Sequence, residues 1–373
     1  MRVGLDVSKL FGPRDGVARY TASLVEAIAE LADERGGTPS LYLYPLNADV
    51  DASSWNELLA RLPGGVRGGP RRWPRRSDVD LFHVPSFTDP GSFDGPVVFT
   101  IHDLTFLSHP HFHVAKNLNH CLLGTLRALA NGATILAVSH ATAKEVQRWF
   151  VLPRGRLHVV YEAASTGFVA LRGGDFDEAR RRVAERFGLY GTFVLTVGSF
   201  EPRKNLSRLI NAYGGLDPEL RSGAPLVLVG GGGWKRDEVF AGAWPDFVRD
   251  LGAVEEEDLV ALYNVATVVA YVSLVEGFGL PVVEAMACGT PVLTSNTSSL
   301  AEVGASAALC VDPHDVEAIR GGLAALLADR SLRRRYRQAG LARAAEFSWR
   351  STAEQAVDIY GEAVATMSTG TRQ

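Results

Sequence analysis

The chain has 373 residues, 46% of them apolar, and 38 basic against 42 acidic side chains leave a formal charge of −4. That length suits about two domains of ordinary size. The near balance of charge gives no global field that would draw nucleic acid or an anionic membrane, so an anionic ligand must be bound locally.

The N-terminus, "MRVGLDVSKL", opens a strand rather than a signal peptide. The candidate strands in chain order are "RVGLDV", "LYLYPL", "LFHVP", "VVFTIH", "TILAVS" and "LHVVY", then "FVLTVG", "PLVLVG", "VVAYVS", "PVLTSN" and "ALCVD". Near-continuous apolar runs spaced by helical patterns predict parallel strands buried on both faces, hence an α/β fold wound on both sides. The polar stretch 165–190 breaks the rhythm and is the expected boundary, with domains over 1–168 and 186–350. The last helical pattern has no strand after it and can lie across either domain; the helix over 351–373 is expected to pack back on the first. The most apolar run, 259–275, is interrupted by Asn264, Thr267 and Ser273 and is too short to span a bilayer. Cys121, Cys288 and Cys310 are widely spaced and odd in number, which fits buried thiols in a reducing, cytoplasmic compartment.

Ligands of open parallel sheets sit outside the carboxyl ends of strands, so the loops after strands carry the search. After "RVGLDV", Gly12 and Gly16 precede a helix starting near Val17, whose first amides suit a phosphate; ordinary turn chemistry is the competing reading. In "VGSFEPRKNLSRLINAY", Arg203 and Lys204 oppose the dipole of the helix they precede unless an anion shares the site. In "EGFGLPVVEAMACGTP", Glu276 lies just before a helix and Glu284 within its first turn, with Pro281 at its start and Gly289 and Pro291 at its end. A first-turn glutamate is an ordinary dipole complement, whereas Glu276 lies outside the helix. Carboxylates beside anion-favouring amides point to a polyhydroxylated ligand carrying phosphates.

The segment from Glu276 to Glu284, with "GFGLP" between and "EAMACGTPV" after, resembles the E-x7-E motif of retaining glycosyltransferases of family 4. "EPRKN", "GVARY", "HDLTFL", "VSHATAKEV" and "EFSWRSTA" extend the resemblance over nearly the whole chain. It implies the GT-B architecture, two Rossmann-like domains facing a cleft, and transfer of a hexose from a nucleotide diphosphate sugar to a glycan, lipid-linked or small-molecule hydroxyl without a metal. The resemblance gives Glu284 the ribose hydroxyls, Glu276 the hydroxyls of the transferred sugar, and the amides of Phe278, Gly279 and Leu280 the sugar and diphosphate. Arg203 and Lys204 would neutralise the leaving diphosphate, Gly16 would let the first-domain loop approach it, His102 would sit near the anomeric centre, and Val254 near the nucleobase. Ser199 stands where the wider family often has arginine, and Arg203 is expected to supply that guanidinium. "EPRKN" resembles users of GDP-mannose, which favours mannose; a UDP-sugar transferase of the same fold and a non-catalytic nucleotide-sugar binder are the alternatives.

Other motifs compete less well. The D-x-D triplets at Asp49, Asp78 and Asp175 fall in loops or before a strand, where a metal-diphosphate motif is out of place. "HPHFH" offers His109, His111 and His113 without an acidic or thiol partner nearby in sequence, and reads first as a plain loop, then as an acceptor contact, then as metal ligands. "RGGPRRWPRRS", residues 67–77, reads as a solvated basic loop, with a peripheral membrane or anionic-acceptor contact second. "VGGGGWKR" lacks the last glycine of a dinucleotide fingerprint at Lys235, and no Gly-Lys pair exists for a P-loop. A glycoside hydrolase would pair carboxylates across the scissile bond and would not need two cations beside them.

Overall fold

The structure, a computed structural model, describes residues 1–370 apart from 13–14, 47, 64, 69–72, 234–238 and 240–241. The chain divides into two compact units, Met1–Glu162 with Ser348–Gln373, and Ala163–Phe347.

The first unit holds a seven-stranded sheet: β1 (Arg2–Asp6), β2 (Ser40–Tyr44), β3 (Arg67–Gly68), β4 (Leu81–Val84), β5 (Val97–Ile101), β6 (Thr134–Ala137) and β7 (Leu157–Val159). Its order is β3-β2-β1-β4-β5-β6-β7, and every adjacent pair is parallel. The central strands β4 and β5 are buried at every residue, as apolar runs covered on both faces must be. Phe82, Phe99, Ile101 and Ile135 form the middle of this core, each removed from water, at about 1.5–3 kcal/mol per side chain.

The second unit holds a six-stranded sheet: β8 (Val194–Gly198), β9 (Leu226–Gly230), β10 (Val248–Asp250), β11 (Val268–Tyr271), β12 (Val292–Ser295) and β13 (Leu309–Val311). The order β10-β9-β8-β11-β12-β13 repeats the pattern of the first sheet, again with parallel pairs throughout. In each sheet the direction of winding reverses beside the unit's first strand, between β1 and β4 and between β8 and β11. Such switch points open a crevice at the carboxyl ends.

All the strands expected from the sequence are present. The short edge strands β3 and β10 are additional, and their two and three residues carry no apolar run to announce them. The division between units falls at Glu162, before the polar stretch 165–190, because that stretch is mostly the helix Gly173–Phe187 of the second unit. There Arg182 and Arg186 grip the buried Asp258 at 2.6 and 3.0 Å.

The last helix, Trp349–Gly370, belongs to the first unit and lies against the helix Gly16–Glu34. Trp349 packs edge-on to Tyr20, Arg350 pairs with Glu34 at 2.8 Å, and the buried Tyr360 reaches His83 at 2.7 Å. No helix among the described residues is long and apolar enough to cross a membrane.

Candidate functional site

In the second unit, β8 runs into the turn Ser199–Asn205, whose Pro202–Lys204 form one turn of 3₁₀ helix. Asn205 closes it with φ of 60°, a conformation that asparagine tolerates better than most residues. Its amide nitrogen donates to the carbonyls of Val272 at 3.0 Å and Pro313 at 2.7 Å, pinning the turn to the carboxyl ends of β11 and β13. The backbone N–H of Leu274 donates to the Arg203 carbonyl at 2.8 Å, so the loops after β8 and β11 meet at the switch point.

These loops bring Arg203, Lys204 and Glu276 together. Arg203 Nη1 donates to Glu276 Oε2 at 2.5 Å and its Nε to Glu201 Oε2 at 2.9 Å. Lys204 Nζ donates to Glu276 Oε1 at 2.7 Å and to the Tyr271 hydroxyl at 2.5 Å, and that hydroxyl donates to Glu276 Oε1 at 2.8 Å. Ser199, in the position of the missing arginine, donates its hydroxyl to Glu201 Oε1 at 2.5 Å. Two cations and two carboxylates are thus enclosed with no net charge. Burial pushes the Glu276 carboxyl up, but the Arg203 and Lys204 cations outweigh it and hold the group down to about 2. Burial, then the neighbouring Arg203 charge, lowers the Lys204 ammonium.

The backbone of Glu276 is held as firmly as its side chain. Its N–H donates to Ser298 Oγ at 3.2 Å, and its carbonyl accepts from Ser299 Oγ at 2.9 Å. Ser298 adopts φ of 53° to do so. Gly279 takes φ of 113°, and a Cβ there would meet Leu300 at 2.6 Å, so this bend admits only glycine. Phe278 is buried edge-on to Phe347.

The helix after Gly279, Leu280–Ala287, has no side-chain cap at its start. It begins one residue before Pro281, which makes Glu284 its fifth residue and moves it from the first turn, where the sequence reading put it, into the second. The dipole account of Glu284 therefore fails. Its carboxylate is buried and accepts from the Tyr263 hydroxyl at 2.9 Å. Val254 is half-buried in the loop between β10 and the helix Glu256–Val265.

In the first unit, Gly16 is the first residue of its helix, which Asp15 caps by accepting from the Ala18 N–H at 2.8 Å. No described atom lies within 4 Å of a Cβ built on Gly16, so packing inside the chain does not demand glycine there. His102 follows β5 and is buried. Its Nδ1 faces Glu162 Oε1 at 3.0 Å and its Nε2 faces the Pro85 carbonyl at 2.9 Å. Both partners are acceptors, which only a doubly protonated ring satisfies. Burial lowers this imidazole, but the hydrogen bond and charge of Glu162 overcome that and leave it raised. The two acceptors thus favour the protonated ring and commit both its nitrogens.

With this geometry in view, the relatives are informative. One model, glycosyl transferases group 1, matches residues 179–343, and another, glycosyltransferase family 4, matches residues 14–167. An Escherichia coli protein named O-antigen chain mannosyltransferase B is 33% identical over 371 residues, covering 93% of this chain and 96% of that one. The chain belongs to the family 4 glycosyltransferases. Another relative, the serotype-specific mannosyltransferase WbdA of Escherichia coli, is 32% identical over 269 residues, 70% of this chain but 33% of its own length. Among solved structures, the lipopolysaccharide glycosyltransferase WaaG matches with a TM-score of 0.72 at 15% identity, over 96% of this chain and 99% of that one. Anabaena HepE in complex with UDP and glucose matches with a TM-score of 0.71 at 16% identity, over 96% of this chain and 99% of that one. The family's GT-B fold is thus the architecture of the two sheets.

The motifs left aside by this family 4 site have structural employment. Asp51 caps the helix Ala52–Arg61, Asp80 pairs with Arg2 at 2.7 Å, and Asp175 and Asp177 lie inside the helix Gly173–Phe187 rather than in a loop. His109 stacks on Phe112, and His113 meets the Thr105 hydroxyl at 2.8 Å. Among the described residues no group of three or more His, Cys, Asp or Glu is placed to hold a metal. In the basic loop, Arg67 lies over the Tyr42 ring and Arg76 donates to the Asp80 carbonyl at 2.5 Å; Arg71, Arg72 and, elsewhere, Lys235 lie outside the described residues. Tyr271, Glu201 and Glu162 were not singled out from the sequence. The tyrosine reads there as one more strand aromatic, and each glutamate is recognisable only by a partner distant in sequence.

Proposed function

We propose that this glycosyltransferase moves mannose, with retention, from a nucleotide diphosphate sugar to a hydroxyl of a growing glycan, GDP-mannose being favoured as donor. The observation that carries the reading is the cluster of Arg203, Lys204 and Glu276 at the switch point of the second sheet. Two half-buried cations suit a diphosphate, and a carboxylate held ionised beside them suits sugar hydroxyls. The names of the mannosyltransferase relatives support the choice of sugar.

On this reading, diphosphate oxygens exchange with Glu276 for Arg203 and Lys204, and the released Oε2 accepts from the sugar. As the bond from the anomeric carbon to the diphosphate oxygen lengthens, negative charge grows on that oxygen and the ring becomes oxocarbenium-like. Preorganised cations stabilise this charge without rearranging. The acceptor oxygen forms its bond on the face the diphosphate leaves, and its proton passes to the departing oxygen. No metal is required.

Glu284 serves the ribose, Val254 the base, and the amides of Phe278, Gly279 and Leu280 the sugar and diphosphate. Ser199 keeps Glu201 turned toward Arg203, which serves as the guanidinium that position lacks. Gly16 offers first-unit amides at a helix start, and His102 supplies fixed positive charge rather than a free ring nitrogen. A lipid-linked acceptor would be met by peripheral contact with a membrane surface.

The test is incubation with GDP-mannose and with UDP-sugars, each with a mannose oligosaccharide and with or without EDTA, followed by NMR of the new anomeric proton. An α-linked mannoside from GDP-mannose, unchanged by EDTA, is expected. A β-linkage would sink retention, and turnover of UDP-sugars alone would move the donor to the alternative.

A further inference from the structure

We propose that Tyr271 is a positioning residue for the transfer: its hydroxyl keeps the Glu276 carboxylate aimed and ionised while the neighbouring cations turn to the diphosphate. The inference rests on the role proposed above for Glu276.

The argument begins with bond counting. Glu276 Oε1 accepts from Lys204 Nζ and from the Tyr271 hydroxyl, and Oε2 accepts from Arg203. A diphosphate that takes both cations removes two of these three side-chain donors. The Tyr271 hydroxyl carries no charge for a phosphate to attract, so it stays with Oε1. The backbone of Glu276 is meanwhile fixed by Ser298 and Ser299. A carboxylate losing two cations in a buried site would otherwise take up a proton or swing away.

Tyr271 is well placed for this. It is the last residue of β11, its carbonyl accepts from Thr294 Oγ1 at 2.8 Å, and its ring is 3% exposed. Lys204 Nζ lies 5.0 Å from the ring centroid, so the ring steadies the ammonium as well as the hydroxyl does. A cavity of about 10 Å³ lies beside the ring, lined also by Thr196, Lys204, Leu206 and Val229. Burial, then the Glu276 charge, raises the phenol well above its ordinary value, and it remains a donor across the working pH range.

The charged groups around this triangle are Arg203 and Glu201 from the turn after β8; the loop after β11 adds the Ser273 hydroxyl, and the helix Ser298–Gly304 adds the hydroxyls of Ser298 and Ser299. With the phenol gone, Glu276 loses a donor and titrates higher, while Lys204 loses an acceptor and titrates lower.

The experiment compares wild type, Tyr271→Phe and Glu276→Gln, as full chains, for transfer from GDP-mannose across pH. For Tyr271→Phe, kcat is expected to fall by about tenfold or more with donor KM changed less than about threefold. The acid limb of the kcat profile should move to higher pH, and the alkaline limb of kcat/KM, which reports the free enzyme in which Lys204 still meets the phenol, to lower pH. Unchanged kcat, or a fall in kcat with both limbs in place, overturns the inference and leaves Tyr271 a packing residue. If Glu276→Gln retains wild-type transfer, the reading of the whole site is what fails. Should Tyr271→Phe not fold, 3,5-difluorotyrosine at 271 replaces it. The more acidic phenol should bring the alkaline limb down, and an unmoved limb overturns the inference.

Discussion

Each unit encloses an ion pair at the carboxyl end of its sheet, and the two pairs are built differently. In the second unit the carboxylate of Glu276 is shared by two cations and a phenol, all within 2.8 Å, so any one partner can be replaced by a ligand while others remain. In the first unit His102 has one carboxylate and one carbonyl, and both ring nitrogens are spent on them. A buried charge can take part in exchange only where it has more partners than it needs. His83 supplies the contrast: more fully buried, its nitrogens meet the hydroxyls of Tyr360 and Thr100, and burial takes it down to about 3, so it is neutral.

The largest effect expected from breaking this difference is on Glu276. Glu276→Gln keeps the shape but leaves Lys204 without its carboxylate and Arg203 with Glu201 alone, and transfer should drop roughly 100-fold or more in a radiolabelled-donor assay. Arg203→Ala comes next, with donor affinity by calorimetry weakened by about tenfold or more. Unchanged affinity would separate Arg203 from the donor and leave the arginine missing at Ser199 unreplaced.

Stability against pH sharpens the comparison because the two pairs carry opposite signs. Glu276 has a depressed pKa, about 2 against an ordinary 4.5, so its contribution is full above 4.5 and is lost as pH falls toward 2. The gap between the urea midpoints of wild type and Glu276→Gln should therefore close between pH 5 and pH 2, on the order of the window just given. His102 has a raised pKa, so its contribution is full below the ordinary 6.5 and is lost as pH rises through the folded value. His102→Asn should flatten the alkaline loss of stability in the first unit and lower activity by about tenfold or less. The smallest effect is on Arg67, whose guanidinium lies over Tyr42: Arg67→Ala should change the melting free energy by within about 0.5 kcal/mol and leave sedimentation with anionic vesicles unchanged.

Much of this was legible in the chain. Apolar runs such as "VVFTI" and "VLTVG" announce central strands because burial on both faces leaves no polar alternation. β3 and β10 were silent because an edge strand is held by one neighbour's backbone and needs no side-chain pattern. Arg203, Lys204 and Glu276 were found by local electrostatics and by motif, yet their mutual pairing spans more than 70 positions and could not be read. Tyr271 stayed hidden for the same reason, and the depth of Glu284 turned on where a helix begins, by a single residue.

The closing helix carries one more implication. Residues 349–370 complete the first unit, whereas the second is one continuous segment, residues 163–347. During synthesis the second unit can therefore fold while the ribosome still holds the segment that the first requires. Until that segment emerges, Tyr20 and His83 lack Trp349 and Tyr360. The unit translated first is the last to close, and a nascent chain interrupted late would leave a finished second unit joined to an unfinished first that a chaperone or protease could recognise.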